Sequence, residues 1–315
     1  MRLKPDLQVS VASAQAIVDC ALAGARVAGV NRLYGGEIAA IHEIVFADAR
    51  APVVLKLYPE SLHWKMQKEV MVAGWVQDRL SVPAPRILLA DESKRLLDLD
   101  LVLMTKLEGA VLGQLEASLT REQLASAYRQ IGRLLREFHR IPMDAFGYIG
   151  PSGIWSPKAT NHAYLTLHLE RKLAEFREHG GRADLAERVA RCVAQREPLL
   201  HACAHPVLCH NDLHAGNLLA VVGDGAVQLC GVLDFEGALA GDPLMDVAKA
   251  LYYLCGEPRR AILEGYGDMA RPHWPETLDL YHLCFVLELW CWMAQIGNTQ
   301  RLGKLTLDLE HFSAG

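Results

Sequence analysis

A chain of 315 residues leaves room for two domains or lobes at roughly 150 residues each, and for a core that needs no disulfide or metal staple. Hydrophobic residues make up 51% and charged residues 22%, which excludes disorder and collagen-like order. A formal net charge of -5 argues against a whole-chain binder of nucleic acid or membrane surface, and no run approaches the ~18 apolar residues of a membrane span.

In chain order, Arg2 and Lys4 precede an Ala/Val-rich stretch that mimics a signal peptide, but Asp6, Gln15 and Asp19 break its apolar region, so a surface helix at roughly 10–24 fits better. Val30–Tyr34, Ile38–Phe46 and Pro52–Tyr58 read as an antiparallel meander of β-branched and aromatic strands, with Gly35-Gly36 at its first turn. A helix follows, with Ser61 as its expected N-cap and Trp64, Met71, Trp75 and Leu80 as an apolar stripe, stopped by Pro83 and Pro85. Ile87–Ala90 and Leu99–Met104 complete a sheet of about five strands. After Thr105 the pattern turns helical at Leu124–His139, His162–Glu178 and Arg182–His201. Val207–Cys209 and Val227–Leu233 are short apolar segments around a polar loop, expected to pair as a hairpin. From Pro243 onward the chain reads helical again, including Leu280–Ile296. The eight cysteines form no CxxC pair and lie mostly in apolar runs, as free buried thiols of a reducing cytosol do.

The chemistry concentrates in Cys209-His210-Asn211-Asp212-Leu213-His214-Ala215-Gly216-Asn217. An Asp and an Asn five positions apart on a loop suit phosphoryl transfer: the Asp steers or accepts the proton of an attacking hydroxyl, and the Asn oxygen takes a hard cation bound to ATP. Seventeen residues on, Asp234 ends an apolar strand in Val232-Leu233-Asp234-Phe235-Glu236, where it can hold Mg²⁺ against the phosphates. The expected hairpin would bring Asp212, Asn217 and Asp234 to one spot.

His210-x-Asp212-x-x-x-x-Asn217 resembles the catalytic loop of eukaryotic-like kinases, and CHNDLHAGNLL followed by LDFEGALAGDPLMDVAK is closer to the aminoglycoside phosphotransferases and their choline-kinase-like relatives. The resemblance covers nearly the whole chain. It implies an α+β, bilobal protein-kinase-like fold, with a small antiparallel-sheet lobe carrying one main helix over residues 1–105 and a larger, mostly helical lobe over 106–315. It further implies ATP or GTP as donor and Mg²⁺ as cofactor, with Asp212 as catalytic base and Asn217 and Asp234 as metal ligands. Lys56, a single ammonium in the apolar strand Val53–Tyr58, needs an anionic partner. Glu69 on the following helix is the natural one, with nucleotide phosphates as ligand, and the pair resembles the strand-three Lys and helix Glu of the family; Lys65 and Lys68 compete for Glu69 locally. By position, Gly35 and Gly36 stand where a phosphate-covering loop would be, although they do not spell GxGxxG. Val102–Gly109 resembles the interlobe hinge, so main-chain groups around Thr105 and Leu107 are expected at the purine edge.

Asp242 reads as an N-cap with Pro243 at the first helical position, and by the resemblance Asp246 braces the catalytic loop. His210 is expected to pack, and His214 either touches a phosphate or packs. A zinc site from His201, Cys203, His205, Cys209, His210 and His214 has the right ligand types, but a Pro break and a strand separate them, and the spacing is not finger-like. Seven residues between Asp234 and Asp242 are too few for an activation segment that presents a peptide, which disfavours a protein kinase. Intact Lys, base and metal-ligand positions disfavour a silent nucleotide-binding module.

From Leu233 to the C-terminus stand 12 acidic and six basic residues, an excess that would favour a cationic acceptor such as an aminoglycoside or amino alcohol. Solvated helix faces explain it equally well. Trp274, Trp290, Trp292, Tyr281 and Phe285 either line an acceptor pocket or fill the core. The expected enzyme is a cytoplasmic small-molecule O-phosphotransferase, an antibiotic kinase or a metabolite kinase of the choline or macrolide type. It would have no nucleic-acid or membrane partner, and the sequence sets no oligomeric state.

Overall fold

Residues 7–33, 39–269 and 271–314 are described by the computed structural model of the chain. Gly35 and Gly36, with Tyr34 and Ile38 that flank them, lie outside the described residues. Helix α1 (Val11–Asp19) starts where the Ser10 hydroxyl accepts the Ser13 N–H at 3.0 Å, and it buries Ala14, Ile17 and Val18. Strands β1 (Val27–Leu33), β2 (Ala40–Phe46) and β3 (Val53–Tyr58) form the meander, followed by α2 (His63–Val76), β4 (Ile87–Asp91) and β5 (Asp100–Thr105). The five strands are antiparallel in the order β1-β2-β3-β5-β4. Alternation on β2 turns Ala40, His42, Ile44 and Phe46 inward, and α1 closes that face with Ala14, Ile17 and Val18 against Leu55, Leu57, Leu101 and Leu103.

Helix α2 differs from expectation in its start and its buried face. Glu60–Leu62 form a separate 3₁₀ turn after Pro59, so Leu62, not Ser61, occupies the N-cap and makes no side-chain cap. The buried stripe is Met66, Glu69, Val72, Ala73 and Val76 rather than the Trp64–Met71–Trp75 face. This face carries Glu69 inward to Lys56, beside four buried apolar residues.

Short β6 (Ala110–Val111) and α3 (Leu112–Leu115) lead to α4 (Arg121–Phe138), which a Thr120–Gln123 capping box opens. The hairpin β7 (Phe146–Gly150) and β8 (Gly153–Lys158), which the helical pattern masked, precedes α5 (Asn161–Glu178) and α6 (Ala183–Gln195). The single helix expected over 182–201 breaks at Arg196, and α7 (Glu197–Leu200) restarts with Pro198 in its first turn, because a proline in a helix interior removes one hydrogen bond and collides with the preceding turn. Strand β9 (Val207–Cys209) does not pair with Val227–Leu233. The hairpin is instead β10 (Leu218–Gly223) with β11 (Ala226–Val232), while β9 pairs with β12 (Leu239–Gly241). Helices α8 (Pro243–Leu251), α9 (Gly256–Tyr266), α10 (Trp274–Gln295) and α11 (Leu302–Phe312) complete the chain.

Two compact units result. One comprises Arg2–Ala117 with Ala215–Glu236, and so contains the five-stranded sheet and a second sheet in the order β11-β10-β6. The other comprises Ser118–His214 with Gly237–Gly315, helical around a sheet in the order β8-β7-β12-β9. The β10–β11 hairpin thus groups with the N-terminal segment, although it falls in the 106–315 stretch. In the helical unit, α4 and α9 meet at two glycines: a Cβ on Gly132 would lie 2.1 Å from the Ile262 carbonyl oxygen, and one on Gly265 2.0 Å from that of Arg129. Among the described residues no helix is long and apolar enough to cross a membrane.

Candidate active site

In the N-terminal unit the site is built around Lys56. Its Nζ donates to both Glu69 oxygens at 2.8 and 2.7 Å, and lies 3.5 Å from Glu236 Oε1 and 3.8 Å from Asp234 Oδ1. Only 6% of Lys56 is exposed. Burial works against its charge, but Glu69, Asp234 and Glu236 outweigh burial and hold its pKa well above the usual lysine value. Tyr58, two residues on and therefore on the same face of β3, donates its hydroxyl to Glu69. Lys65 reaches Glu236 at 3.7 Å and the Lys68 ammonium lies over Trp64, while Lys56 holds both Glu69 oxygens.

Asn217 and Asp234 are brought together by register. Leu218 faces Val232 in the hairpin, and the Leu233 N–H donates to the Asn217 carbonyl at 2.9 Å, so the two polar residues leave adjacent strands at the same end. Asp234 adopts a left-handed backbone, φ 68°. Its Oδ1 is buried and accepts no hydrogen bond among the described residues. A buried carboxylate oxygen without a donor, beside an asparagine, is a donor set that fits a hard divalent cation. Glu236 is pushed up to about 7, first by burial and then by the charge of Asp234, against the pull of Lys56.

Thr105 and Leu107, expected at the purine edge, make contacts within the same unit. Thr105 exchanges main-chain and side-chain bonds with Arg86, donating its N–H to the Arg86 carbonyl at 2.9 Å and accepting the Arg86 N–H on Oγ1 at 2.9 Å. Leu107 lies over Gly231, where a Cβ would come 2.9 Å from its Cδ1, and Cys230 Sγ donates to the Glu108 carbonyl at 3.1 Å. Lys106 pairs with Glu43 at 2.6 Å.

The loop carrying Asp212 belongs to the helical unit and is clamped from behind. The Asp246 carboxylate accepts the N–H of His210 at 2.7 Å and of Asn211 at 2.9 Å, and His139 Nε2 lies 3.3 Å from it. Asp246 is fully buried. Burial raises its pKa, but the bonds from His139 and the loop amide prevail and hold it below the ordinary carboxylate range. Asn211 turns the chain at φ 64° and its amide donates to the Gly237 carbonyl at 2.9 Å. His210 is completely buried, edge-on to Phe138 at 5.4 Å, as expected of a packing residue. Asp212 itself is half exposed, with His214 Nε2 3.6 Å from its Oδ1. Such a loop presents one carboxylate to solvent on a rigid base, the arrangement a hydroxyl-orienting group needs.

Asp242 caps α8 as expected, accepting the Leu244 N–H at 2.9 Å, and also takes a fork from Arg271 and the Tyr281 hydroxyl at 2.6 Å. Tyr281 and Trp290 are core residues, while Phe285 lies beside Lys249. At least eight of the twelve C-terminal acids pair within the chain: Asp234 and Glu236 with Lys56, Asp242 with Arg271, Asp246 with His139, Glu288 with Lys249, Glu264 with Arg129, Glu310 with Arg182 and Glu257 with Arg121. The acidic excess alone therefore does not make a cation-binding wall. The six His and Cys residues tested for zinc spacing do not converge among the described residues. All eight thiols are free, but only Cys192, Cys209, Cys284 and Cys291 are buried; Cys203 and Cys230 are half-buried, and Cys20 and Cys255 are exposed. Sequence reasoning missed Glu236 and Tyr58 as partners of Lys56, and His139 as a partner of Asp246. The first two had a signal, Glu236 in the motif beside Asp234 and Tyr58 at strand period from Lys56.

Sheet, helix pairing and loop together define a protein-kinase-like phosphotransferase fold. The family model described as phosphotransferase enzyme family (APH) matches residues 42–280, and the chain belongs to that family. Solved structures bear the same fold. A thermostable mutant of aminoglycoside phosphotransferase APH(4)-Ia, in ternary complex with ADP and hygromycin B, aligns with TM-score 0.72 at 17% identity over 96% of this chain and 98% of that one. The GDP and kanamycin complex of APH(2")-IIIa aligns with TM-score 0.70 at 14% identity over 96% and 98%. The protein is a phosphotransferase of that family.

Proposed function

We propose that the protein transfers the γ-phosphoryl group of ATP or GTP to a hydroxyl of an aminoglycoside-like antibiotic. The observation that carries this reading is Lys56, buried and charged among Glu69, Asp234 and Glu236, with the Asp234 Oδ1 left without a hydrogen-bond donor among the described residues. A lysine so placed binds phosphate oxygens once they displace its distant carboxylates, and Glu69 keeps it oriented. Mg²⁺, held by Asn217 and Asp234, would supply the charge that neutralises the phosphates. Main-chain groups around Thr105 and Leu107 would face the purine edge. Asp212, exposed on its clamped loop, aligns the acceptor hydroxyl and takes its proton. The acceptor class rests on the solved neighbours, whose complexes hold hygromycin B and kanamycin. Eight unpaired thiols suit a reducing cytoplasm.

A screen of aminoglycosides, macrolides and amino alcohols for substrate-dependent ADP or GDP release tests the acceptor. Turnover confined to an amino alcohol would replace antibiotic kinase by metabolite kinase, and no release with any donor would point to a silent module. Asp212→Ala is expected to lower kcat by about 10²–10⁴-fold, the range of a general base, with nucleotide affinity unchanged. Equal kcat in wild type and variant removes Asp212 from the chemistry.

A further inference from the structure

Three side chains in the helical unit, outside the residues assigned above, converge on one point. His162 lies in the first turn of α5, while Glu197 and His201 lie four residues apart on and just after α7. Glu197 Oε1 is 2.8 Å from His162 Nε2 and 3.6 Å from His201 Nε2, and the two imidazoles stack with centroids 4.3 Å apart at 19°, so one ring turns out of the stack before both nitrogens can address one ion. One ligand atom from each residue lies within 4.8 Å of the others.

We propose that His162, Glu197 and His201 form a binding site for a borderline divalent cation, Zn²⁺ being the first candidate. Two imidazoles and one carboxylate are a donor set Zn²⁺ prefers, and a fourth position is left for water. Zinc–ligand bonds of about 2.0–2.2 Å in a tetrahedron set neighbouring donors about 3.3 Å apart, and the observed 2.8 and 3.6 Å bracket that spacing. Without an ion, Glu197 bonds His162 at 2.8 Å, the Thr166 hydroxyl lies 3.4 Å from the same His162 nitrogen, and His201 is held by ring stacking, since 3.6 Å is too long for it to bond the same oxygen. A cation would engage all three at once. Pro198 makes the arrangement possible, because the restart of the helix at α7 sets Glu197 and His201 one turn apart on a separate short segment opposite α5. The ion would fasten that segment, which leads into β9 and the clamped loop, to the body of α5. The site is independent of the proposed phosphoryl transfer.

The test titrates the full-length protein with ZnCl₂ in excess Mg²⁺, by equilibrium dialysis and by thermal unfolding. One Zn²⁺ per chain is expected at this site, weakened about tenfold or more in each of His162→Ala, His201→Ala and Glu197→Gln. The unfolding temperature should rise with Zn²⁺ in wild type and not in the variants. His201 is half exposed, so its replacement leaves the metal-free fold intact, checked by the melt without Zn²⁺. Superimposable Zn²⁺ titrations of wild type and His201→Ala, or a Zn²⁺-dependent stabilisation that survives all three substitutions, would overturn the site.

Discussion

An ammonium with 6% of its residue surface exposed keeps its proton here because three carboxylates surround it. The same geometry makes Lys56 costly to remove. In Lys56→Met the Glu69 carboxylate keeps the Tyr58 hydroxyl but loses its counter-ion, and Glu236 retains only Lys65 at 3.7 Å. Breaking one partner of a buried ion pair costs about 3–5 kcal/mol, whereas replacing both by apolar groups is often close to neutral. Lys56→Met is therefore expected to destabilise the protein by about 3–5 kcal/mol, and Lys56→Met/Glu69→Leu to recover much of that loss. Denaturant unfolding of the three proteins measures it; additive losses would show that Glu69 is not the principal partner. Under the proposed function the charge is kept despite this cost, since a hydrophobic pair would pack but could not bind phosphate.

At the scale of elements, the α4–α9 contact is set by what two residues lack. Gly132 and Gly265 let each helix backbone approach the other, and a methyl at either would sit about 2 Å from a carbonyl oxygen that cannot move without its helix. Overpacking of this kind costs about 1–3 kcal/mol, opposed by the helix preference for Ala over Gly of up to about 1 kcal/mol. Gly132→Ala should lower stability, and Gly132→Val should lower it further; a gain in either would mean that the helices separate freely. Neither glycine announced this role in the sequence, because helical periodicity records which face is buried but not how closely two backbones approach. The same limit explains the other differences. The burial of His210 and the placing of Asn217 and Asp234 at one end of a hairpin match what residue type and spacing lead one to expect. The face of α2 was not legible, because its buried apolar residues Met66, Val72, Ala73 and Val76 share that face with Lys68 and Glu69, whereas the larger apolar side chains Trp64, Met71 and Trp75 stay half-buried. The true partner of β11 was hidden for a similar reason: Leu218–Gly223 reads as the tail of the catalytic motif, yet its three exposed residues alternate poorly with its buried ones. Strands β7 and β8 are short and interrupted by Pro157 and three glycines, so no period could form.

For the whole molecule, the two compact units carry titratable groups whose shifts oppose each other. In the helical unit, burial lowers His168 and His282 to about 4, against a usual value near 6.5. Their unfolded forms bind protons that the folded forms refuse, so the stability they contribute is complete above pH ~6.5 and lost as pH falls toward 4. Glu236, in the other unit, is raised to about 7 from an ordinary carboxylate value of 4.5. There the folded form holds the extra proton, so its contribution improves as pH falls from 7 to 4.5 and is level below that. Acidification from pH 7 to 4.5 is therefore expected to loosen α5 and α10 before β3 and β11. Hydrogen exchange followed by mass spectrometry resolves the two units in one experiment. His168→Gln, which cannot take up a proton on opening, should flatten the acid response of α5, and Glu236→Gln should flatten that of β11. Faster exchange in β3 and β11 than in α5 as the pH drops would reverse the assignment of which unit is acid-labile.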